Sequence, residues 1–388
     1  MSLFKLPTEL DERILEDCDQ LSLSRLSRTS TYYRRITEPF LYRDIKLDIL
    51  NPTAVESLCL NLTKRKPLAQ HVRSLSLFQK GAFPSAPKGR VRAHSFPVLS
   101  TKQLQEAVLP SSSPPEAIYT SSLALILSRA TGLTTLHISP APYPQPRISL
   151  RPTFKALRQI AHVTRLRHLH IDSTRSALIP FLPSLETLAV SHSQHVSLKG
   201  AYTLPGAMVN LRSVSFHHTT LRLPWLTDAL EDGHLAHVTR FSIRGPLFTC
   251  VANYEVYSGE YDAFMYAVSA YAPRLECLEL EGVVPQVFYA VLRPAAPVNL
   301  SRLKALEVLR VDALALLLPL PRRVLSSRNG MVEALPLGLR SLRLMNTPLC
   351  VLQQEEFAAG PVREAILRFR AKARLLRLSD LALEVVIQ

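Results

Sequence analysis

His168, His170 and Asp172 come nearest in this chain to a reactive constellation. Their spacing of two puts all three on one face if the segment is a strand, because strand side chains alternate. His137 and His217 occupy equivalent slots in similar segments. Imidazoles and a carboxylate converging on a sheet face could ligate a metal. A polar binding face supplies the same residues without one. His192-x-x-His195 and the pair His217–His218 come without a third ligand. No G-x-S-x-G, G-x-G-x-x-G, GK[ST] or H-E-x-x-H occurs, so the common nucleophile, dinucleotide, phosphate and zinc signatures are missing. The expectation is a chain that is not itself an enzyme and carries no metal or cofactor.

The segments that hold these residues repeat a short phrase, apolar-x-x-apolar-x-apolar. It runs Val72/Leu75/Leu77, Leu133/Leu136/Ile138, Leu166/Leu169/Ile171, Leu185/Leu188/Val190 and Leu211/Val214/Phe216. It continues as Val238/Phe241/Ile243, Leu275/Leu278/Leu280, Leu306/Leu309/Val311 and Leu339/Leu342/Leu344, with Tyr42/Ile45/Leu47 as a degenerate first copy. The alternation predicts half-buried strands. Helical patterns fall between copies, at Ala54–Lys66, Ala117–Ala130, Phe154–Val163, Leu226–Leu235, Glu260–Tyr271 and Glu364–Ala373. A strand followed by a helix, repeated, predicts an α/β chain built as an irregular leucine-rich-repeat-like solenoid over residues 42–388. A doubly wound sheet is the competing arrangement, and it would call for a Gly-rich phosphate turn after an early strand. Residues 79–115 and 139–152, rich in Ser and Pro, are expected to be disordered insertions.

Residues 1–41 follow a different rule. Pro7 sits where a helix would begin, and Glu9, Asp11 and Glu12 suit its positive end. Leu10, Ile14, Leu15 and Cys18 make one apolar stripe. Ser22 is placed to cap a second short helix carrying Leu23 and Leu26, and Ser30 a third carrying Tyr33 and Ile36, which Pro39 is expected to end. Three helices with so few apolar residues need a partner to bury them.

This opening resembles the F-box, the helical module that docks substrate receptors onto the Skp-type adaptor of cullin–RING ubiquitin ligases. Leu6–Pro7, Leu10, Ile14–Leu15, Leu23, Leu26, Ser30 and Tyr33 carry the resemblance. Asp11, where an apolar residue often stands, and Cys18, in place of a leucine, depart from it. With the repeats that follow, the chain resembles the F-box/leucine-rich-repeat proteins of fungi, although the usual asparagine after the strand is absent. The resemblance implies an adaptor contact through Leu6, Pro7, Leu10, Ile14, Leu15, Leu23, Leu26 and Tyr33. It also implies a protein target selected by the repeats, with catalysis left to partner enzymes. A bare capping unit on a repeat scaffold without a ubiquitin role is the alternative, and a metal-binding protein using the His168 cluster is ranked after it.

Composition narrows the setting. The 388 residues carry a net charge of +15, and hydrophobic residues make up 47%. Residues 64–244 hold 22 basic and 7 acidic residues, a difference of 15, so that segment accounts for the whole excess. Arginines outnumber lysines 35 to 11, which favours bidentate contacts to carboxylate or phosphate and suggests an acidic or phosphorylated target. Nucleic acid is not the expected partner, because no basic–aromatic stripe is present. The five scattered cysteines, the lack of a signal-peptide pattern and the lack of a membrane-length apolar run lead to an expected cytoplasmic or nuclear location. The outward slots of the strands are the expected target face: His168, His170, Asp172 and His217, then Arg240 and Arg244, Glu279 and Glu281, Arg310 and Asp312, and Arg343.

Overall fold

Strands form where the apolar alternation is strictest, and β2, β4, β6, β8, β9 and β10, whose ranges follow, bury the expected side. The computed structural model describes residues 7–48, 51–78, 115–139, 157, 165–172, 177–179, 182–193, 196–198, 208–219, 223–245, 254–282, 300–312, 335–336, 338–347 and 382–387. Leu6, most of both expected insertions, nearly all of Phe154–Val163 and the whole of Glu364–Ala373 lie outside them. The chain divides into two compact units, Met1–Thr174 and Arg175–Gln388.

In the first unit three helices, α1 (Thr8–Glu16), α2 (Gln20–Leu26) and α3 (Thr31–Leu41), precede strand β1 (Asp44–Asp48). Helices α4 (Pro52–Lys64) and α5 (Lys66–His71) lead to β2 (Ser74–Phe78), and α6 (Pro115–Arg129) leads to β3 (Thr135–Ser139) and then β4 (His168–Asp172). The order β1-β2-β3-β4 follows the chain, and every pairing is parallel. The second unit repeats this with β6 (Thr187–Ser191), β8 (Ser213–His217), β9 (Arg240–Arg244), β10 (Cys277–Glu281), β11 (Val308–Asp312), β12 (Ser341–Thr347) and β13 (Ala382–Ile387). These too are parallel and in chain order. The short strands β5 (Ala177–Ile179) and β7 (Val196–Leu198) pair with each other. Within each unit the order never reverses, which a doubly wound sheet would require.

The repeated phrase is longer than its three predicted positions. Just before the strand a tight turn closes from an apolar N–H to the carbonyl three residues back: Leu133 to Ala130, Leu185 to Leu182, Leu211 to Met208 and Leu275 to Ala272. Val238 to Leu235 and Leu306 to Leu303 close in the same way. Those upstream residues are themselves buried, so each copy puts a fourth side chain into the core. In the second unit an aromatic column completes it. Phe216 stands 6.4 Å from Phe241, Phe241 6.0 Å from Phe264, and Trp225 closes on Phe216 at 6.5 Å. Phe264 belongs to α8 (Tyr254–Tyr271), which packs on α7 (Leu223–Glu231).

Two further ladders tie neighbouring strands. Each carbonyl just before a strand accepts two successive N–H groups of the next copy. Arg43 O takes Arg73 N at 2.9 Å and Ser74 N at 3.0 Å, and Arg212 O takes Thr239 N at 2.8 Å and Arg240 N at 2.9 Å. Just after the strands the backbone turns left-handed, at His192 (φ 47), His218 (φ 48), Gly245 (φ 92) and Gly282 (φ 67). There His192 N donates to His217 O at 2.8 Å, His218 N to Arg244 O at 2.5 Å, and Gly245 N to Glu281 O at 2.7 Å. The slot that lacks the expected asparagine is thus filled by residues able to take positive φ.

The three opening helices differ from expectation at two points. Asp19, not Ser22, caps α2, its carboxylate accepting from Ser22 N at 2.7 Å. That backbone bond holds the Asp19 carboxyl below its ordinary value. Helix α3 runs through Pro39 to Leu41, because Tyr42 N reaches Glu38 O at 3.1 Å and Arg43 N reaches Phe40 O at 3.3 Å, closing the turn that Pro39 cannot. Ser30 caps α3 through Tyr33 N at 3.1 Å. Leu15, Leu23 and Ile36 form a small shared core, with Cys18, Leu26, Tyr32, Tyr33, Phe40 and Leu41 packed around it.

Candidate functional site

Helix α1 splits its apolar stripe between two directions. Leu15 is 3% exposed and goes to the core with Leu23, whereas Leu10 is 47% exposed and Ile14 55%. Pro7 is exposed at the start of the same helix, and Leu21 on α2 is 43% exposed. Leu26 and Tyr33 are half-buried against the core. Of the residues expected to meet an adaptor, Leu15 and Leu23 are therefore structural. A helix of two and a half turns cannot present adjacent positions to the same side, so Ile14 and Leu15 diverge. Leu21 is an exposed apolar residue that the spacing argument did not single out. It lies on a second helix and belongs to no period of the first.

Asp11, the polar residue in an apolar slot, is buried and accepts a hydrogen bond from Tyr32 Oη at 2.7 Å. That bond, which favours the protonated phenol, pushes the Tyr32 hydroxyl above its ordinary value. Tyr32→Phe is expected to lower the melting temperature by leaving a buried acceptor unmet, and adding Asp11→Leu is expected to restore it. A thermal melt of the single and double variants reads this directly, and additive losses would sink the pairing argument.

The sheet faces hold the other predicted residues. In the first unit, register sets His137 opposite His170, and their rings meet edge to face at 6.1 Å. Burial, then the neighbouring His137 and His168, holds the His170 imidazole below its ordinary value. Asp172 accepts from Ser139 Oγ at 3.4 Å. Among the described residues no three His, Cys, Asp or Glu side chains are placed to hold a metal ion.

In the second unit several of the charges expected on the target face pair with one another. Glu279 is the hub: its carboxylate accepts from Ser242 Oγ at 2.8 Å, Arg244 Nη2 at 2.9 Å and Arg310 Nη1 at 2.7 Å. Arg244 also lies 3.8 Å from Glu281. Burial pushes the Glu279 carboxyl up, but the Ser242 hydroxyl and then Arg244 and Arg310 more than offset it, leaving it below its ordinary value. His217 is held low by burial first and by Arg244 next. Arg240 is exposed, and Arg343 is half-buried. Asp312 is 0% exposed, so it is removed from the expected target face. Strand β11 ends with Val311 and Asp312 both buried, so the last outward slot of this strand is covered rather than open.

A folded carboxyl held low contributes stability above its unfolded value and loses it as pH falls. Glu279→Gln is expected to flatten the acid side of the stability curve below the ordinary value of 4.5. Its cost at neutral pH should fall at the lower end of the roughly 1.5–3 kcal/mol typical of charged hydrogen bonds, because solvent screens the half-exposed arginines. Urea titrations across pH measure both effects. An unchanged acid limb would remove the network from the account.

No family model matches the sequence, and no curated protein is similar to it. Among solved structures, an internalin from Listeria monocytogenes is similar at 12% identity over 86% of this chain and 89% of that chain, with a TM-score of 0.31. The repeat architecture rests on the pairings and burial described above. No helix among the described residues is long and apolar enough to cross a membrane.

Proposed function

We propose that this chain is a non-catalytic interaction subunit: an F-box-like substrate receptor of a cullin–RING ubiquitin ligase, with leucine-rich-repeat-like units that select a protein target. The observation that carries the reading is the exposure of Leu10 and Ile14, one turn apart on α1, and of Leu21 on α2, in a helical module that has a small core of its own in Leu15, Leu23 and Ile36. Large apolar side chains left in water mark a place where another surface completes the burial. The Leu-Pro-x-Glu-Leu wording and the order of three short helices, which resemble F-boxes, support a Skp-type adaptor as that partner. The receptor would act by proximity, holding its target beside partner enzymes in the cytoplasm or nucleus. Affinity purification of the full chain, with mass spectrometry of what accompanies it, is the test. Recovery of the adaptor supports the receptor reading, and its absence leaves the repeat scaffold.

On the target side, the paired Arg244–Glu279–Arg310 network supports a rigid, nearly neutral patch rather than a strongly charged one. Arg240 on the same face is exposed.

A further inference from the structure

Basic residues also gather at the beginnings of the first unit's strands. The residues just before β1, β2, β3 and β4 are Arg43, Arg73, Thr134 and Arg167, stacked by the double hydrogen bonds to successive carbonyls. An open cleft of about 500 Å³ lies over the first three of these rungs. Pro39 and Phe40, at the end of α3, form an apolar wall. Arg43 and Arg73 supply the charge, His71 an imidazole, and Ser74, Thr134 and Thr135 hydroxyls. Asp44 is the one carboxylate in the lining.

We infer that this cleft binds a phosphorylated serine or threonine side chain of a protein partner. Adjacent rungs of a sheet are about 4.8 Å apart, so guanidiniums rooted on neighbouring rungs can close on one tetrahedral anion from two sides. Arg73 Nη1 is lightly held, reaching Gly132 O at 3.4 Å, while the Arg43 side chain forms no ion pair among the described residues. Asp44 decides between anions. Against a single negative charge it cancels much of the attraction, whereas a phosphate carrying about −1.5 to −2 retains a net pull. A phosphate also has three oxygens to share among the guanidiniums and hydroxyls, more than a carboxylate offers. The Pro39–Phe40 wall gives the residue flanking the phosphate an apolar surface. One aromatic ring without a basic–aromatic series is poor support for stacked bases. The inference needs no adaptor and stands apart from the receptor reading.

The test uses the full chain with fluorescent degenerate peptides whose central residue is phosphoserine or phosphothreonine, against matched unphosphorylated and glutamate pools. Anisotropy at physiological salt should show the phosphorylated pools binding at least about tenfold tighter than either control. Arg43→Glu should abolish that preference, and Arg73→Gln, which keeps a donor for Gly132, should weaken it, both with an unchanged thermal melt. Several results would overturn the inference: equal binding of the pools, a preference that survives Arg43→Glu, or a glutamate pool that binds as well as the phosphorylated ones. Inorganic phosphate competing at the peptide's own concentration would assign the cleft to free anions. A single-stranded oligonucleotide binding more tightly, with the same arginine dependence, would assign it to nucleic acid.

Discussion

Replacing Leu10 and Ile14 together with glutamate is expected to eliminate capture of a Skp-type adaptor while leaving the fold intact. Both side chains are about half exposed, so the exchange removes little internal packing. Surface substitutions of this kind usually move stability by less than about 0.5 kcal/mol. At an interface the same residues act as anchors, and losing one hot spot typically costs about 2 kcal/mol or more, a factor of roughly thirty in affinity. Leu15→Ala should do the reverse. It truncates a side chain that is 3% exposed, at an expected cost of about 2–5 kcal/mol. Co-purification and a thermal melt of the two variants therefore separate the docking surface from the core. Adaptor capture undiminished by the double glutamate variant would end the receptor reading.

The second large effect is expected at Gly245. A Cβ there would lie 2.5 Å from His218 Nδ1 and 3.1 Å from His218 Cα, and the backbone sits at φ 92. Gly245→Ala therefore incurs about 1–2 kcal/mol for the left-handed conformation and about 1–3 kcal/mol for crowding. Gly233 provides the internal control: its φ is 75, but nothing lies within 4 Å of an added Cβ. Gly233→Ala should cost the conformational part alone. The difference between the two, measured by denaturant unfolding, isolates the contact with His218. Equal losses at the two sites would mean that the imidazole simply moves aside.

Much of this architecture could be read from residue order, and the reasons differ by element. The strands were legible because burial on one side imposes a period of two that Leu136/Ile138 or Leu278/Leu280 cannot satisfy otherwise. The fourth core position of each copy escaped, since a tight turn has no period and its occupants range from Leu182 to Ala130. Pairing across the sheet was also hidden. Arg244 and Glu279 lie 35 positions apart, and only parallel register brings them together. Asp312 was expected to be exposed because alternation assigns a side chain to a face but does not say whether other residues cover it there. In α1 the stripe was visible, but the direction each leucine takes depends on helices that follow it in the chain. The cleft beneath α3 gave no sequence signal, because its arginines are 30 residues apart and share only their position before a strand.

One hydrogen bond in the opening module changes what a truncation would mean. Gln20 Nε2, from α2, donates to the carbonyl of Asp44 at 2.7 Å, and α3 packs along the same strand. Strand β1 pairs with β2, and the Gln20 side chain occupies the peptide carbonyl at the start of β1. An uncovered strand edge is a template for pairing with another chain. A chain shortened to begin at β1 would thus gain a self-association site in the same cut that removes Leu10 and Ile14. Loss of activity in such a fragment would report clumping as readily as missing recognition, which makes single-residue changes on the helices the cleaner way to assign them a role.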